Sequence, residues 1–504
     1  FLVTTPLEET WPDDLGTPVL FLGEWCKLYS RHHQWSEMDY EVMPYHWDNP
    51  KKLSRDYLYL TNLYEELLPE LSNSLNQLHG ENHSGRYWRI IVGLWLLGFI
   101  QVLYDRYHSI LSCARYGKVN NTTIIKTDGQ KYVPKDFAEF SKWAAEDDIY
   151  NHHLFSIIIK DYSDIPFNIL KKNMMPSIKS NSIKRYTIKK ALREYYEDYK
   201  SLRNNIVFVE LGMRNEDLIK LQKSINQIPC IRYQNSTEIR AETYRSKVNL
   251  ELRDKLRLKS RDEKFGMILV DLIKDQIPMV YVEGYKKMKR IAQRKYPKNP
   301  KIIINETAWN ANEPFKFWTA YNIDKKSKFY CNQHGGLYGC NLLTAPMDHQ
   351  IKISDIFYTW GWESDHYNNT KSLPVSKFNV LKEKIKPIKN GKILMLLMAI
   401  PRYSFIPELL CTSSKGYQSY LEEQYQFIGT LNEKNRKLLL IRLYMHDYKL
   451  NQKDRLLNRF SDIECQESSQ SRISHFNQSS LCICTYNATT FLEAFIYDFP
   501  TIIF

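Results

Sequence analysis

The residues best suited to chemistry follow an apolar run, Phe329 to Gln333, which predicts a short buried strand. His334 stands at the exit of this strand and is followed by Gly335 and Gly336. In an open α/β sheet ligands bind at the carboxyl ends of strands, and an imidazole can accept a hydroxyl proton at neutral pH. We therefore predict that His334 is catalytic, as a general base or as a contact of the leaving group. The alternative is a tight turn that contains a hydrogen-bonded histidine.

Two other predicted strands end beside residues that could join the same chemistry. The run from Ile351 to Trp362 predicts a strand with a glycine-broken exit, so two consecutive strands would open onto one edge. An earlier strand is predicted at Pro18 to Gly23, and Glu24 follows it directly. Because Glu24 also stands at a carboxyl end, it is a second catalytic candidate.

A phosphate-binding turn is predicted near the end of the sequence. Thr485 to Ala494 combine a strand end, a small polar turn and the start of a helix. Backbone amides, the hydroxyls of Thr489 and Thr490, and the helix dipole would together hold a phosphate group, while Glu493 would reach the hydroxyls of a ribose. The alternative is that Thr489 or Thr490 is a plain helix N-cap with Glu493 as its capping-box partner.

Basic residues stand at further strand exits in the same part of the chain. Arg442 and His446 share a face if the strand at 437–444 continues that far, and Arg402 follows the strand at 392–400. Basic groups at several exits of one sheet favour an anionic ligand. The alternative is a strand-edge arginine and a surface histidine. The residues predicted to bind such a ligand are Gly335, Gly336, Arg402, Arg442, His446, Asn487, Thr489, Thr490 and Glu493.

Length and charge restrict the class of protein. The chain has 504 residues, with 70 Lys and Arg against 57 Asp and Glu, so its net charge is 70 − 57 = +13. This length predicts two domains with insertions. The charge favours nucleotide diphosphates, anionic glycans, nucleic acid or an acidic membrane surface as partners. Between residues 170 and 300 the basic residues are interleaved with apolar ones, which is typical of solvated helical faces.

The cysteines and the longest apolar run indicate the cellular compartment of the protein and whether it crosses a membrane. The nine cysteines lie far apart and show no zinc-binding spacing, so we predict a reduced, cytoplasmic protein. The run from Ile90 to Tyr104 contains Gln101 and is too short to span a bilayer comfortably, which predicts a buried helix. The sequence starts at Phe1 and stops at Phe504 inside a predicted strand, so we expect a fragment at both ends.

Alternating strand and helix patterns predict an α/β fold with parallel sheets, arranged as two Rossmann-like domains that face a cleft. The first domain spans 1–370, with helical insertions at about 50–115 and 135–296; 371–390 is a linker, and 391–504 is a nucleotide-binding domain cut off before its end. Residues 115–135 should be loop or hairpin. The predicted strands are 1–5, 18–23, 204–210, 301–305, 329–333, 351–362, 392–400, 437–444, 480–485 and 501–504. The predicted helices are 52–79, 135–150, 186–203, 214–225, 262–296, 313–321, 417–431 and 489–497.

Several motifs are absent from the sequence. It contains no phosphate-binding P-loop, no dinucleotide fingerprint, no Gly-x-Ser-x-Gly elbow and no His-Glu-x-x-His. It also lacks Asp-x-Asp, so the sequence shows no metal-dependent sugar-nucleotide site of that type, and we predict no metal site and no cofactor. Stabilisation of a leaving phosphate would then depend on Arg, His and helix dipoles.

Segments along nearly the whole chain carry a resemblance to a known family. They are Phe21 to Arg31, Pro44 to Asp48, Arg86 to Ile90, Gln333 to Gly336, Thr359 to Trp362, Arg442 to Tyr444 with His446 and Asp447, and Asn487 to Glu493. Together they make the chain resemble the transferases encoded in bacterial O-antigen and other surface-polysaccharide gene clusters. The carboxyl-terminal part is similar to glycosyltransferases with two Rossmann domains (the GT-B type). Two positions depart from the family pattern: Met445 replaces a proline, and Asp348-His349-Gln350 replaces an acid-rich segment.

The resemblance implies a glycosyltransferase that moves a sugar from a nucleotide donor, such as a CMP-linked nonulosonic acid, to a glycan or lipid-linked glycan acceptor. The donor is expected in the second domain and the acceptor in the first, without metal and without nucleic acid. A cytoplasmic location follows, with peripheral contact at the inner membrane surface. The alternatives are a polymerase that transfers polyol phosphate from a CDP-linked donor, a UDP-sugar epimerase, and a non-catalytic scaffold of a polysaccharide assembly complex.

Overall fold

The structure is a computed structural model of the chain, and it confirms an α/β fold in which every strand pair between described residues is parallel. The described residues are 1–14, 16–126, 128–172, 174–176, 205–228, 230, 246–375, 378, 385–405, 414–466, 472–487 and 489–504. The predicted helix at 186–203 and part of the predicted linker at 371–390 lie outside them.

The first sheet contains β1 (Leu2–Val3), β2 (Val19–Phe21), β3 (Tyr40–Val42), β4 (Thr123–Ile125) and β5 (Asn168–Leu170). β2 lies between β1 and β3, and β4 pairs with β5. A single bridge between Leu2 and Thr122 places β4 beside β1, so the strands run in the order β3-β2-β1-β4-β5. This 3-2-1-4-5 order is that of a doubly wound α/β fold, in which the order reverses beside the first strand.

The second sheet contains β6 (Ile206–Val209), β7 (Ile302–Asn305), β8 (Lys328–Asn332), β9 (Ile356–Thr359) and β10 (Thr370–Ser372). Its strands lie in sequence order, β10-β9-β8-β7-β6, so this sheet has no reversal point. The predicted first domain, 1–370, therefore contains two sheets. β8 and β9 are neighbours, and their carboxyl ends meet at one edge as expected from parallel pairing.

The third sheet contains β11 (Lys392–Leu396), β12 (Leu439–Arg442), β13 (Glu464–Gln466), β14 (Ser479–Cys484) and β15 (Thr501–Ile503). Its order is β13-β12-β11-β14-β15, again 3-2-1-4-5. In such a sheet ligands bind outside the carboxyl ends of the strands where the order reverses, which is between β11 and β14. Strands of this sheet are apolar on both faces because helices cover both sides.

The helices of eight or more residues are listed in chain order. They are α1 (Pro50–His79), α2 (Gly85–Tyr116), α3 (Phe137–Glu146), α4 (Asp148–Tyr162), α5 (Asn215–Ser224), α6 (Lys264–Gln276), α7 (Tyr285–Lys295), α8 (Glu313–Asp324), α9 (Ala345–Ile353), α10 (Ser414–Thr430), α11 (Gln452–Arg459) and α12 (Thr489–Ile496). Shorter helical turns lie at Glu8–Thr10, Glu24–Cys26, Tyr29–Arg31, His32–Trp35, Gly129–Tyr132, Leu250–Arg253, Met279–Tyr281, Ala308–Ala311, Glu433–Lys437 and Arg472–Phe476.

Local sequence explains where α1 begins and ends and why α2 is buried. Asn49 caps α1 by accepting from the amides of Lys51 and Lys52, and the helix ends at Gly80, whose φ of 65° favours glycine. Within the described residues α2 alone is long and apolar enough, by length and composition, to cross a membrane. Most of it, 94% of its most apolar stretch, is buried inside the protein, which confirms the predicted buried helix.

Two apolar cores flank the third sheet, and another joins the first two sheets. The joint core contains Phe21 of β2 and Phe329 of β8, and it also takes in Tyr403 from the segment after β11. In the third sheet alternate residues face opposite sides: Met395 packs in one core and Leu396 in the other. The first two sheets are therefore one packed unit, and the third sheet has its own cores.

Three sequence predictions differ from the structure in local detail. Residues 351–353, predicted as strand, end helix α9, and the strand is only Ile356–Thr359. A short apolar run does not distinguish a strand from a buried helical turn, and here a proline at the first turn starts a helix. The strand predicted at 437–444 ends at Arg442, and the predicted loop or hairpin at 115–135 contains β4, whose partner is the distant β5.

A buried arginine joins the third sheet to the first part of the chain. Arg402, which follows β11, is only 4% exposed. Its guanidinium donates to the backbone oxygens of Trp25 (3.1 Å), Glu146 (2.9 Å) and Tyr448 (3.1 Å), and to the Asp148 carboxylate (2.6 Å). The structure therefore places Arg402, a predicted donor contact, inside a joint in which its guanidinium already donates to four protein oxygens.

Asp148 is the anionic half of this joint. Its carboxylate also accepts from the Tyr403 hydroxyl at 2.8 Å and pairs with Lys449 at 3.0 Å. Burial alone would raise the pKa of Asp148, but Arg402 and Lys449 outweigh burial and hold that pKa below its usual range. The pair is therefore charged, and removing one partner would leave the other charge buried without compensation.

Substitution of Arg402 by Met should lower the free energy of unfolding by about 3–5 kcal/mol, because it leaves the Asp148 carboxylate buried and short of its main partner. Urea denaturation followed by circular dichroism measures the change. The matched control is Arg459→Met, since Arg459 pairs with Glu422 on an exposed surface and should cost at most about 1 kcal/mol. Equal losses in the two variants would contradict the role of Arg402 as a buried joint.

Candidate active site

The Gln333 side chain shapes the turn that follows β8. It is 2% exposed, and its amide nitrogen donates to the backbone oxygen of Gly335 at 2.7 Å. Its amide oxygen accepts from the backbone nitrogen of Trp360 and from the indole of Trp362, both at 2.9 Å. Its own backbone nitrogen donates to Tyr358 at 2.8 Å. The hydrogen bonds of Gln333 therefore hold together the segments that follow β8 and β9.

Glycine is required for backbone conformation at a different place from the one predicted. Gly339 has a φ of 79° and Gly361 a φ of 94°, whereas Gly335 and Gly336 do not adopt positive φ. A side chain at Gly339 would also stand 3.1 Å from the Trp362 ring. The glycines beside His334 therefore contribute a bare backbone rather than an unusual conformation.

His334 belongs to a chain of hydrogen bonds that begins at a buried amide. Its Nδ1 lies 3.1 Å from the Tyr338 hydroxyl, which donates to the Gln350 amide oxygen at 2.9 Å. The Gln350 amide nitrogen faces two backbone oxygens, those of Asn332 at 3.3 Å and Glu306 at 3.4 Å. Gln350 is fully buried, so these partners determine its orientation.

These bonds determine where the proton of a neutral His334 sits. The two backbone oxygens require the NH₂ group of Gln350, so its oxygen faces Tyr338 and must accept. The Tyr338 hydroxyl therefore donates its single proton to the Gln350 oxygen, and its own oxygen accepts a hydrogen bond from Nδ1 of His334. The proton of the imidazole is therefore on Nδ1, and Nε2 is the basic nitrogen.

Two carboxylates stand at the same sheet edge as His334. Glu306 directly follows β7 and accepts from the Gly212 amide at 2.8 Å. Glu210 follows β6 and accepts from Thr307 at 3.2 Å and from Asn312 at 2.9 Å. Sequence reasoning did not select either glutamate. Glu210 ends a predicted strand and Glu306 directly follows one, which was a usable signal, since the position at a strand exit selected His334.

The predicted phosphate-binding turn of the third sheet meets the His334 turn directly. The backbone amide of Gly336 lies 3.2 Å from the Thr489 hydroxyl, which accepts its hydrogen bond at the first residue of α12. Asn487, just before α12, is exposed, and Thr490 is half-buried. Two segments more than 150 positions apart are thus in contact at one point.

A basic cluster lies beside α12 at the carboxyl end of β12. The Arg442 guanidinium donates to Nδ1 of His475 at 2.6 Å, and Nε2 of His475 donates to Gln466 at 2.5 Å. Burial, and then Arg442, lowers the pKa of His475, so the imidazole is neutral and positions Arg442 without cancelling its charge. Arg472 pairs with Glu493 at 2.9 Å, so the residue predicted to contact a ribose takes part in an ion pair.

Comparison with known proteins identifies the family. A model of the LIC12162 family transferases matches residues 1–504, the whole chain. The chain is a LIC12162 family transferase. No curated protein matches it.

Two further predicted site residues of this transferase lie away from the His334 turn, at contacts between segments of the third sheet and the first part of the chain. Nε2 of His446 donates to the Glu146 carboxylate at 2.6 Å, because the chain leaves the sheet after Arg442 and turns toward the first part of the protein. Glu24 pairs with Lys27 at 3.1 Å and accepts from Gln418 of α10. The structure therefore brings together His334, Gly336 and Thr489, and it places His446 and Glu24 elsewhere.

The described part of the transferase has free cysteines and no cluster of metal-binding side chains. Among the described residues no three His, Cys, Asp or Glu side chains form a group that could hold a metal ion, and metal independence stays a prediction. The eight cysteines in the described part of the chain are free thiols, five of them buried and Cys340 exposed. The Sγ atoms of Cys482 and Cys484 lie 3.7 Å apart, because alternate residues of β14 share a face.

Histidine ¹⁵N labelling and long-range ¹H–¹⁵N NMR above pH 8 should show His334 protonated on Nδ1, since Tyr338 can only accept from it. His334→Gln assigns the signal by its loss. Tyr338→Phe removes the acceptor of the Nδ1 proton and should shift the tautomer population toward Nε2–H. Tyr358→Phe, at the neighbouring strand, should leave the signal unchanged. A wild-type imidazole protonated on Nε2 would contradict the hydrogen-bond assignment.

Proposed function

We propose that this transferase moves a sugar from a nucleotide-sugar donor to a surface-polysaccharide or O-antigen acceptor. The observation that carries the proposal is the contact between the Gly336 amide and the Thr489 hydroxyl. It brings the general-base candidate of one sheet to the anion-binding helix start of another. Both lie at the carboxyl ends of parallel strands, where ligands bind in α/β sheets.

The sheet orders support a GT-B-like arrangement. The first and third sheets both have the 3-2-1-4-5 order, and the exits of β2 and β11 line one common cavity. In the proposed arrangement the nucleotide binds the third sheet, at Asn487, Thr489 and Arg442, and the acceptor approaches from the first two sheets. A CMP-linked nonulosonic acid is one donor that such a site would take.

The proposed reaction needs one proton transfer and one displacement. Nε2 of His334 accepts the proton of an acceptor hydroxyl, and the hydroxyl oxygen attacks the anomeric carbon of the donor sugar. The bond between that carbon and the donor phosphate oxygen breaks, and its electron pair leaves with the nucleotide. Charge on the departing phosphate is stabilised by the start of α12 and by the nearby Arg442.

Burial first, and the neighbouring Arg472 second, lower the pKa of the Arg442 guanidinium. An anion placed beside these two cations would relieve their mutual repulsion, which favours a phosphate ligand at this position. Arginine presents several donors in one plane and therefore binds phosphate oxygens well. These electrostatics support the assignment of Arg442 to the donor phosphates.

Thermal-shift screening of wild-type protein against CMP, CDP, UDP, GDP and dTDP should single out one nucleotide. At a hundredfold excess over Kd the expected stabilisation is about 2.7 kcal/mol. Arg442→Ala should abolish that shift. Arg436→Ala is the matched control, since Arg436 pairs with Asp462 elsewhere in the same domain. Folded protein that no nucleotide stabilises would contradict the proposal and favour a scaffold.

His334→Ala should reduce turnover by about 10²–10⁴-fold, the usual contribution of a general base, and change nucleotide affinity only a few-fold. Radiolabelled sugar transfer and nucleotide titration measure the two quantities. His33→Ala, an exposed histidine, is the control. Near-normal turnover in His334→Ala would contradict a catalytic role for His334. A product that gains phosphorus, with release of CMP, would replace sugar transfer by polyol-phosphate transfer.

A further inference from the structure

A separate cavity lies on the seam between the first and third sheets. It is lined by Glu24, Trp25 and Lys27 to Tyr29 after β2, by Ile400 to Arg402 after β11, and by parts of α10 and α11. None of its described lining residues belongs to the His334 turn or to α12. It therefore differs from the candidate active site, although both open at carboxyl ends of the third sheet.

The cavity is strongly basic. Its lining contains four cations, Lys27, Arg402, Lys449 and Arg455, against one carboxylate, Glu24. Lys27 pairs with Glu24, while Arg402 and Lys449 share the single carboxylate of Asp148 behind the wall. Counting both carboxylates, the local balance is 4 − 2 = +2. An anion that enters would therefore meet net positive charge on several sides.

Arg455 is the cation best placed to bind such an anion. Its Nε donates to the backbone oxygen of Leu450 at 2.8 Å, and its guanidinium lies 4.4 Å from the centre of the Tyr29 ring. Among the described residues no carboxylate pairs with it. The ring and the backbone oxygen hold the planar guanidinium in one orientation, and the ordering that a ligand must impose is thereby reduced.

The chemistry of the cavity lining indicates a phosphate group. Leucine, tyrosine and tryptophan side chains form most of the wall besides the charged residues. A net charge of +2 matches a phosphate monoester or a diphosphate better than a single carboxylate. Arginine and lysine together are the residues that hold such groups.

We infer that this cavity is a second anion site, one that binds a phosphate-bearing group of the acceptor. This assignment rests on the proposed function, because it divides donor and acceptor between the two sites. The residues from Glu24 to Tyr29 come from the first sheet, on which the acceptor is proposed to lie, and the donor phosphates are proposed at Arg442 and α12. A sugar acceptor linked to a lipid through phosphate would carry the required group.

Isothermal titration of the full chain with pyrophosphate tests the site without any requirement for turnover. Arg455→Gln should weaken pyrophosphate binding at one site by about tenfold, the usual effect of losing a charge-assisted contact. Arg459→Gln, one turn along α11 and paired with Glu422, should change it less than twofold. Arg442→Ala should retain the site that Arg455→Gln loses, because the two arginines serve different sites.

The nucleotide selected by thermal shift distinguishes the two sources of phosphate. If Arg455→Gln leaves nucleotide affinity within twofold, the cavity serves the acceptor. If it weakens nucleotide and pyrophosphate equally, the cavity holds the donor and the inference is overturned. Unchanged pyrophosphate binding in Arg455→Gln, or none in the wild type, also overturns it. Should Arg455→Gln fail to fold, Arg455→Lys retains the charge and should show a smaller loss of pyrophosphate affinity.

Failure of the proposed function would have a different signature from failure of this inference. If no nucleotide stabilises the protein but pyrophosphate binding depends on Arg455, the proposed donor site is contradicted and the anion cavity is supported. If a nucleotide binds through Arg442 but pyrophosphate binding does not depend on Arg455, the donor site is supported and the anion cavity is contradicted.

Discussion

The buried pair of Arg402 and Asp148 is the constraint on which the arrangement of the sheets depends. A buried guanidinium is tolerated only when its charge and its donors are satisfied, and here the partners come from three segments that are remote in sequence. They are the exit of β2, the junction of α3 with α4, and the segment after β12. The need to satisfy the buried Arg402 guanidinium therefore sets the position of the third sheet relative to the first.

The candidate active site follows from that arrangement, because no single sheet contains it. His334 is oriented within the second sheet through Tyr338 and Gln350, and Thr489 begins a helix of the third sheet. Only when the sheets pack together does the Gly336 amide reach Thr489. The seam that carries Arg402 also forms the wall of the basic cavity, so both proposed anion sites depend on one interface.

Particular elements show how far sequence reasoning reached. The strands β7, β8 and β14 and the helices α1 and α12 were predicted nearly in place, because runs of apolar residues and their periodicity report local structure directly. Residues 351–353 were predicted as strand and form the end of a helix, since three apolar residues satisfy both patterns. His446 was predicted beside Arg442 by strand alternation, but the strand ends at Arg442 and His446 contacts Glu146 instead.

The sequence by itself determined the α/β class, the parallel pairing and the positions of candidate groups at strand exits, since these follow from short-range pattern and residue type. Tertiary structure alone decided which exits meet. The strand orders 3-2-1-4-5, the burial of Arg402, the tautomer of His334 and the contact between Gly336 and Thr489 all depend on residues more than ten positions apart. Such contacts are set by packing and by the pairing of buried charges, which local sequence does not specify.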